Sequence, residues 1–192
     1  MNFLRLVKKT RSRRRFFEKK NIPSKLLFYL VNLARLTSSA ANLQPLRYIV
    51  CGNKEKNNKV FSTLSWAGYF KSWPGPKQGE RPSAYIVILA DKSKNKYACY
   101  DCGIAAQTIL LAAQDKNIAG CMIGSIDRFR LKKILKIGNK YDILLLIALG
   151  FSRGKVILEN IGKTGIKYYR DKDNVHHVPK YSIEEVVLKE LS

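Results

Sequence analysis

The sequence predicts a single domain of the α+β class, on three observations. With 192 residues, 46% of them hydrophobic and 10% aromatic, the chain can close one sizeable core. Two stretches, 24–36 and 101–115, place apolar residues at helical spacing. Short runs of almost wholly apolar residues, Ala84 to Ala90, Ile118 to Ile123 and Ile143 to Leu149, have the length and composition of buried strands.

In chain order, residues Asn2 to Lys9 read as a short helix with Phe3, Leu4, Leu6 and Val7 on one side. The basic run Lys8 to Arg15 follows. Pro23-Ser24 opens the next helix, to about Leu36, with Leu26, Leu27, Leu30, Val31, Leu33 and Ala34 on its buried face. A polar turn, Ser38-Ser39-Ala40-Ala41-Asn42-Leu43-Gln44-Pro45, ends it, and Arg47 to Cys51 is a strand. Gly52 to Asn58 is expected to be a charged loop and Lys59 to Gly68 a short helix. The prolines and glycines from Trp73 to Pro82 exclude regular structure, leaving a long loop rimmed by Trp66, Tyr69, Phe70 and Trp73. In the helix Asp101 to Asp115, residues Ile104, Ala105, Thr108, Ile109, Leu111 and Ala112 are expected inward. Asp127 should cap a short helix to about Leu135. The C-terminal part is polar and aromatic, with Tyr168, Tyr169, His176, His177, Pro179 and Tyr181, little core of its own, and a short helix from Ser182.

The formal net charge is +22, from 36 Lys and Arg against 14 Asp and Glu. That attracts polyanions and phosphorylated cofactors alike. Arg11, Arg13, Arg14 and Arg15 could grip a nucleic acid through phosphate oxygens, but no RNP motif, zinc finger or recognition helix accompanies them. Nucleic-acid binding therefore stands as a competing class. No apolar run reaches the roughly 18–20 residues of a membrane span. Ser12-Arg13-Arg14-Arg15-Phe16-Phe17 has the look of a twin-arginine export signal, but Glu18, Lys19, Lys20 and Pro23 occupy the place of its apolar region. Cys51, Cys99, Cys102 and Cys121 form no disulfide framework, so reduced thiols and a cytoplasmic location are expected.

Several patterns fall short of a site. Gly162-Lys163-Thr164 resembles the end of a phosphate loop, but Ile157 stands where its first glycine belongs, leaving a surface turn. Cys99-Tyr100-Asp101-Cys102 has redox spacing near a strand-to-helix turn but lacks the second pair a zinc site needs, so no metal is expected. His176 and His177 are expected to face solvent, and no G-x-S-x-G elbow marks either as a base. What remains is a pair of segments: arginines beside the Ser12 hydroxyl, suited to a phosphate, and hydroxyls and carboxamides at 38–45, suited to a flat polar ring. Together they suggest a mononucleotide cofactor.

Taken in order, the segments resemble the nitroreductase family of flavoenzymes. Thr10-Arg11-Ser12-Arg13-Arg14-Arg15-Phe16 matches the opening R-R-S-x-R-x-F pattern, with Thr10 for its first arginine. Ser38 to Pro45 matches the turn ending in N-x-Q-P, with Ser38 for the usual proline. Arg81 to Val87 is similar to the proline-led central strand, Asp101 to Gln107 to the D-x-G-x-A-x-Q helix, and Gly120 to Ser125 to the strand end beside the flavin. Val178-Pro179-Lys180 resembles the terminal proline-lysine segment, with Tyr181 where an arginine commonly follows.

The resemblance implies a three-layer α-β-α fold with a central, mainly antiparallel mixed sheet, and a homodimer in which residues 160–192 embrace the partner. It implies one FMN-binding domain over 1–192, with NADH or NADPH as electron donor. Arg11, Ser12 and Arg14 would hold the FMN phosphate, helped by Lys180. Ser38, Ser39, Asn42 and Gln44 would reach the ribityl chain or ring, typically of the partner's cofactor. Met122, Ile123 and Gly124 would lie along the ring, and Trp66, Tyr69, Phe70 and Trp73 would form a lid over the substrate. The implied reaction is ping-pong hydride transfer through flavin N5 to nitroaromatics, quinones or similar small acceptors, with no catalytic side chain required. The same fold could instead serve dehydrogenation, dehalogenation or flavin metabolism. Thr10 and Tyr181 each remove a family cation, for which Arg13 and Arg15 could compensate.

Overall fold

The computed structural model describes residues 2–162 and 165–191; Met1, Ser192 and the Lys163-Thr164 part of the expected surface turn lie outside them. The chain divides into two compact units, one of residues 1–66 and 74–153, the other of residues 67–73 and 154–192.

In the larger unit, strands β1 (Leu46–Cys51), β2 (Ala84–Asp91), β3 (Ala119–Ile123) and β4 (Tyr141–Gly150) form one sheet in the order β1-β2-β4-β3. Every pairing in it is antiparallel. All eight residues of β2 are buried, which explains why its sequence is almost continuously apolar rather than alternating. Helices α2 (Ser24–Ala34) and α4 (Ala98–Asp115) pack on one face of this sheet. Leu27 and Leu30 of α2 and Ala105, Ala106 and Ile109 of α4 close over Ala84, Ile86, Ile88, Ile147 and Leu149. On the other face, Tyr85, Val87, Leu146 and Ala148 are fully buried as well.

Two short helices, α3 (Lys54–Phe61) and α5 (Arg128–Leu135), contact each other. Side chains tie them to the sheet ends: Asn57 Nδ2 donates to Ser83 O at 2.7 Å, and Arg128 Nε donates to Ile143 O at 3.0 Å. Helix α3 corrects the expected loop at 52–58 and helix at 59–68. Its start is set by Asn53, whose side chain accepts from Lys56 N, and its few apolar residues hid it from a periodicity argument. Asp127 caps α5 as expected, accepting from Arg130 N at 3.0 Å.

Helix α4 begins three residues before the expected start, at Ala98. Cys99 and Cys102 therefore lie within the helix itself, one exposed and one buried, rather than at a strand-to-helix junction. Burial pushes the Cys102 thiol up to about 11, the reverse of redox activation. Ile104 also departs from expectation, because it faces outward while Asp101 and Cys102 face inward. In α1 (Phe3–Lys9), Phe3 and Leu4 are exposed.

In the smaller unit, β5 (Val156–Asn160), β6 (Tyr169–Arg170) and β7 (His176–Lys180) make a sheet in the order β5-β7-β6. The β5–β7 pair is parallel and the β6–β7 pair antiparallel. A capping box of Ser182 and Glu185 starts α6 (Ile183–Val186). Neither histidine faces solvent as expected. His176 is buried, and both ring nitrogens of His177 are engaged, by Glu159 at 2.8 Å and Asp171 at 3.0 Å.

Candidate functional site

The arginine segment is held by its backbone. Thr10 ends α1, its hydroxyl donating to Leu6 O at 2.8 Å, so this departure from the family pattern serves as a helix cap. Arg13 N then donates to Gly120 O at 2.8 Å, Phe16 N to Glu80 O at 2.9 Å and Phe17 N to Phe151 O at 2.9 Å. Residues 13–17 are thus laid along the end of the sheet. Phe16 is fully buried and lies so close to Gly150 that a Cβ there would sit 2.7 Å from its ring.

With the backbone pinned, the side chains divide. Ser12 and Arg14 approach the thiol of Cys121 on β3, which burial pushes above the ordinary thiol value. Arg11 donates through Nη2 to Val7 O at 2.9 Å, while its Nε is buried without a partner. Burial also draws the Arg11 and Arg13 guanidiniums below their ordinary value. Arg15 has a different task, since it binds Glu80 through Nε at 2.8 Å and Nη2 at 2.6 Å. That ion pair takes Arg15 out of the set of cations that could compensate for Thr10.

β3 runs from this cluster through Cys121 to Met122, Ile123 and Gly124. Ile123 is buried, Met122 half-buried and Gly124 exposed, with nothing within 4 Å of where its Cβ would lie. Ser12, Arg14 and the β3 residues are therefore brought together on one edge of the sheet, while the Arg11 side chain turns back onto α1.

The turn at 38–45 is anchored elsewhere, on α4. Ser39 Oγ donates to the buried Asp101 carboxylate and accepts from Gln44 N at 2.9 Å, and Ala40 N donates to the same carboxylate at 3.2 Å. Ala41, Asn42 and Gln44 take positive φ values of 49°, 52° and 48°, strained for non-glycine residues and sustained by these bonds. Gln44 Nε2 donates to Asn42 Oδ1 at 2.9 Å. A cavity of about 120 Å³ beside the turn is lined by Ser38, Ser39, Gln44, Arg47, Tyr48 and Asp101. Burial, with Cys102 and Asp101 nearby, raises the Tyr48 phenol to about 12.

The expected lid residues fall into both units. Trp66 is buried in the larger one, its ring against Gly75 and 5.8 Å from Phe61. A Cβ on Gly75, at φ 112°, would lie 2.5 Å from that indole. Tyr69, Phe70 and Trp73 belong to the smaller unit, where Phe70 packs edge-on to Tyr168 and His176 and Arg170 lies over both Phe70 and Trp73. Lys180 is exposed at the end of β7, opposite Asn160.

Sequence reasoning missed Asp101 and Cys121 as parts of these sites, although both stand inside quoted motifs. An acid and a thiol in apolar runs are signals of a buried polar anchor. Among the described residues no group of His, Cys, Asp and Glu could hold a metal ion, and no helix is long and apolar enough to cross a membrane.

Comparison with known proteins agrees with this architecture. A protein of Archaeoglobus fulgidus, provisionally named an NADH dehydrogenase/NAD(P)H nitroreductase, is 26% identical over 152 residues, covering 75% of this chain and 82% of its own. An FMN-dependent nitroreductase from Clostridium difficile superposes with a TM-score of 0.67 at 25% identity, covering 80% of this chain and 89% of its own. A nitroreductase family protein from Streptococcus pneumoniae covers both chains completely, with a TM-score of 0.69 at 19% identity, a likeness of fold. The sequence profile of the nitroreductase family matches residues 7–151. With that match spanning most of its length, the chain belongs to the nitroreductase family.

Proposed function

We propose that the chain is an FMN-dependent oxidoreductase that takes electrons from NADH or NADPH and passes them, in ping-pong order, to a nitroaromatic, a quinone or a similar small acceptor. The cluster at the start of β3 carries this reading. There Ser12 and Arg14 converge while the buried Nε of Arg11 lacks a partner. A buried donor without an acceptor is costly, and a phosphate oxygen would relieve it. The FMN-dependent relative and the NAD(P)H named for the archaeal one point the same way.

FMN, when bound, supplies the hydride chemistry at its N5 atom. Arg11, Ser12 and Arg14 hold its phosphate, with Lys180 as a further cation. Met122, Ile123 and Gly124 support the ring, and the bare Gly124 leaves its face of the strand end open. The turn of Ser38, Ser39, Asn42 and Gln44 reaches the partner's cofactor, with Asn42 and Gln44 presenting the exposed amides. Partial burial keeps the cations poorly solvated, which strengthens their hold on an anion. Trp66, Tyr69, Phe70 and Trp73 border the acceptor.

The working unit in this reading is a homodimer of one flavin-binding domain spanning 1–192, with residues 160–192 embracing the partner. Exposed Phe3, Phe28, Tyr100 and Ile104, and Leu188 and Leu191 in the tail, supply apolar surface for that contact. All four cysteines are free, in keeping with a reducing, cytoplasmic setting.

The test is the anaerobic absorption spectrum of purified protein before and after each nicotinamide. The expected result is a yellow protein bleached by NADH or NADPH. A colourless protein that takes up no added FMN would sink the reading. Flavin uptake with no reduction by either nicotinamide would move it to a non-reductase role on the same fold.

A further inference from the structure

A cavity of about 570 Å³ opens in the larger unit where β1 ends and β2 begins. It is lined by residues to which neither the arginine cluster nor the polar turn contributes. Four of the lining side chains carry a buried polar atom with no partner: Asn57 Oδ1, Arg81 Nε, Ser83 Oγ and Tyr85 Oη. Asn57 and Ser83 are each only 7% exposed and Tyr85 is fully buried. Native proteins rarely leave one such group unmet, and here four belong to residues that line the same space.

The groups have a definite polarity. The Tyr85 phenol is driven far up by burial, so it remains protonated and able to donate. Arg81 Nε can only donate, and its guanidinium lies over Phe61, 4.3 Å from the ring centre. Ser83 Oγ can donate to the same acceptor. Lys19 and Lys54 add positive charge at the rim. The one carboxylate on the wall, Glu18, is already engaged by the backbone N–H groups of Gly79 and Arg81. Asn57 is the exception: its Nδ2 is committed to Ser83 O, so its free Oδ1 asks for a donor. Among these atoms three donors stand against one acceptor, positive charge is in surplus along the wall, and the space far exceeds one water molecule.

We propose that this cavity is a second ligand site, separate from the cofactor site, that takes a small organic carboxylate also bearing an O–H or N–H group. The carboxylate accepts from Arg81 Nε, Ser83 Oγ and Tyr85 Oη, and the ligand's own donor meets Asn57 Oδ1.

The experiment is isothermal titration of the full chain with 4-hydroxybenzoate, with benzoate and with methyl 4-hydroxybenzoate, in the presence and absence of saturating FMN. The expected result is one-to-one binding of 4-hydroxybenzoate in both conditions. Benzoate should bind about tenfold more weakly for want of the donor, and the ester at least as much more weakly for want of the charge. Tyr85→Phe and Asn57→Leu should each weaken 4-hydroxybenzoate about tenfold while leaving FMN uptake unchanged. Tyr85→Phe removes only an unpaired hydroxyl, so it should fold and report even if Asn57→Leu does not. Three results would overturn the proposal. They are heats from none of the probes, as for a cavity filled with water; equal binding by wild type and Tyr85→Phe; and loss of probe binding when FMN is added, which would assign the cavity to the flavin.

Discussion

β2 in the larger unit buries all eight of its residues, whereas β7 in the smaller unit buries only His176 and Pro179. The larger unit closes around a sheet with aliphatic side chains on both faces. The smaller is joined by rings and charges: Phe70 against Tyr168 and His176, Tyr169 stacked on His177 at 4.6 Å, and His177 between two carboxylates. One unit thus depends on apolar volume and the other on polar geometry. They should respond differently to truncation and to pH.

Ile147→Ala gives the largest expected effect. Ile147 is fully buried between α2, α4 and β2, and its truncation should cost about 2–5 kcal/mol in denaturant titration. A cost near zero would show that the sheet is not the source of stability in the larger unit.

Asp101→Asn probes the polar exception within that apolar unit. The carboxylate accepts from Ser39 Oγ and Ala40 N, and charge-assisted bonds of this kind are each worth about 1.5–3 kcal/mol. The variant should lose about that much overall, and the amides of Ala40 and Gln44 should exchange faster. Unchanged exchange there would mean that the positive-φ turn holds itself without Asp101.

The smallest effect is expected in the smaller unit, on raising the pH. The carboxylates of Asp171 and Glu159 raise the His177 imidazole above its ordinary value of 6.5. Its contribution is therefore complete below 6.5 and is lost as pH climbs through the raised value. Asp171 is held below its ordinary 3.8, so its contribution disappears only in acid, as pH falls through the lowered value. The expected outcome is an imidazole resonance for His177 titrating above 6.5, with amide protection at 154–191 falling over the same range and protection in β2 unmoved. Titration at or below 6.5 would break the contrast between the units.

Most of the larger unit was legible in the sequence. The runs at 84–90 and 143–149 announce themselves because a strand buried on both faces has no polar side to interrupt it. Two polar groupings were legible in part: Ser12 and Arg14 do approach Cys121 on β3, and Ser39, Asn42 and Gln44 are hydrogen-bonded within one turn. Helix α3 was not legible, since its periodicity is polar and its cap is a single Asn53. Nor was the division of labour among the arginines. Arg14 and Arg15 are neighbours of the same chemistry, yet one approaches Cys121 and the other is spent on Glu80, 65 residues away. Ser39 likewise reads as a ligand hydroxyl, but its oxygen is engaged by Asp101 and Gln44.

Local patterning by itself determined the main strands and helices, because hydrophobic period, capping residues and turn chemistry act within a few residues of chain, and the resemblance of short motifs gave the family. Tertiary structure alone decided which polar atoms are free. A donor at Arg11, Tyr85 or Arg81 is satisfied or orphaned according to what packs beside it, and those neighbours come from remote parts of the chain. The cavity beside Tyr85 follows from the same cause: Asn57, Arg81 and Ser83 become one site only when α3 is brought against the start of β2.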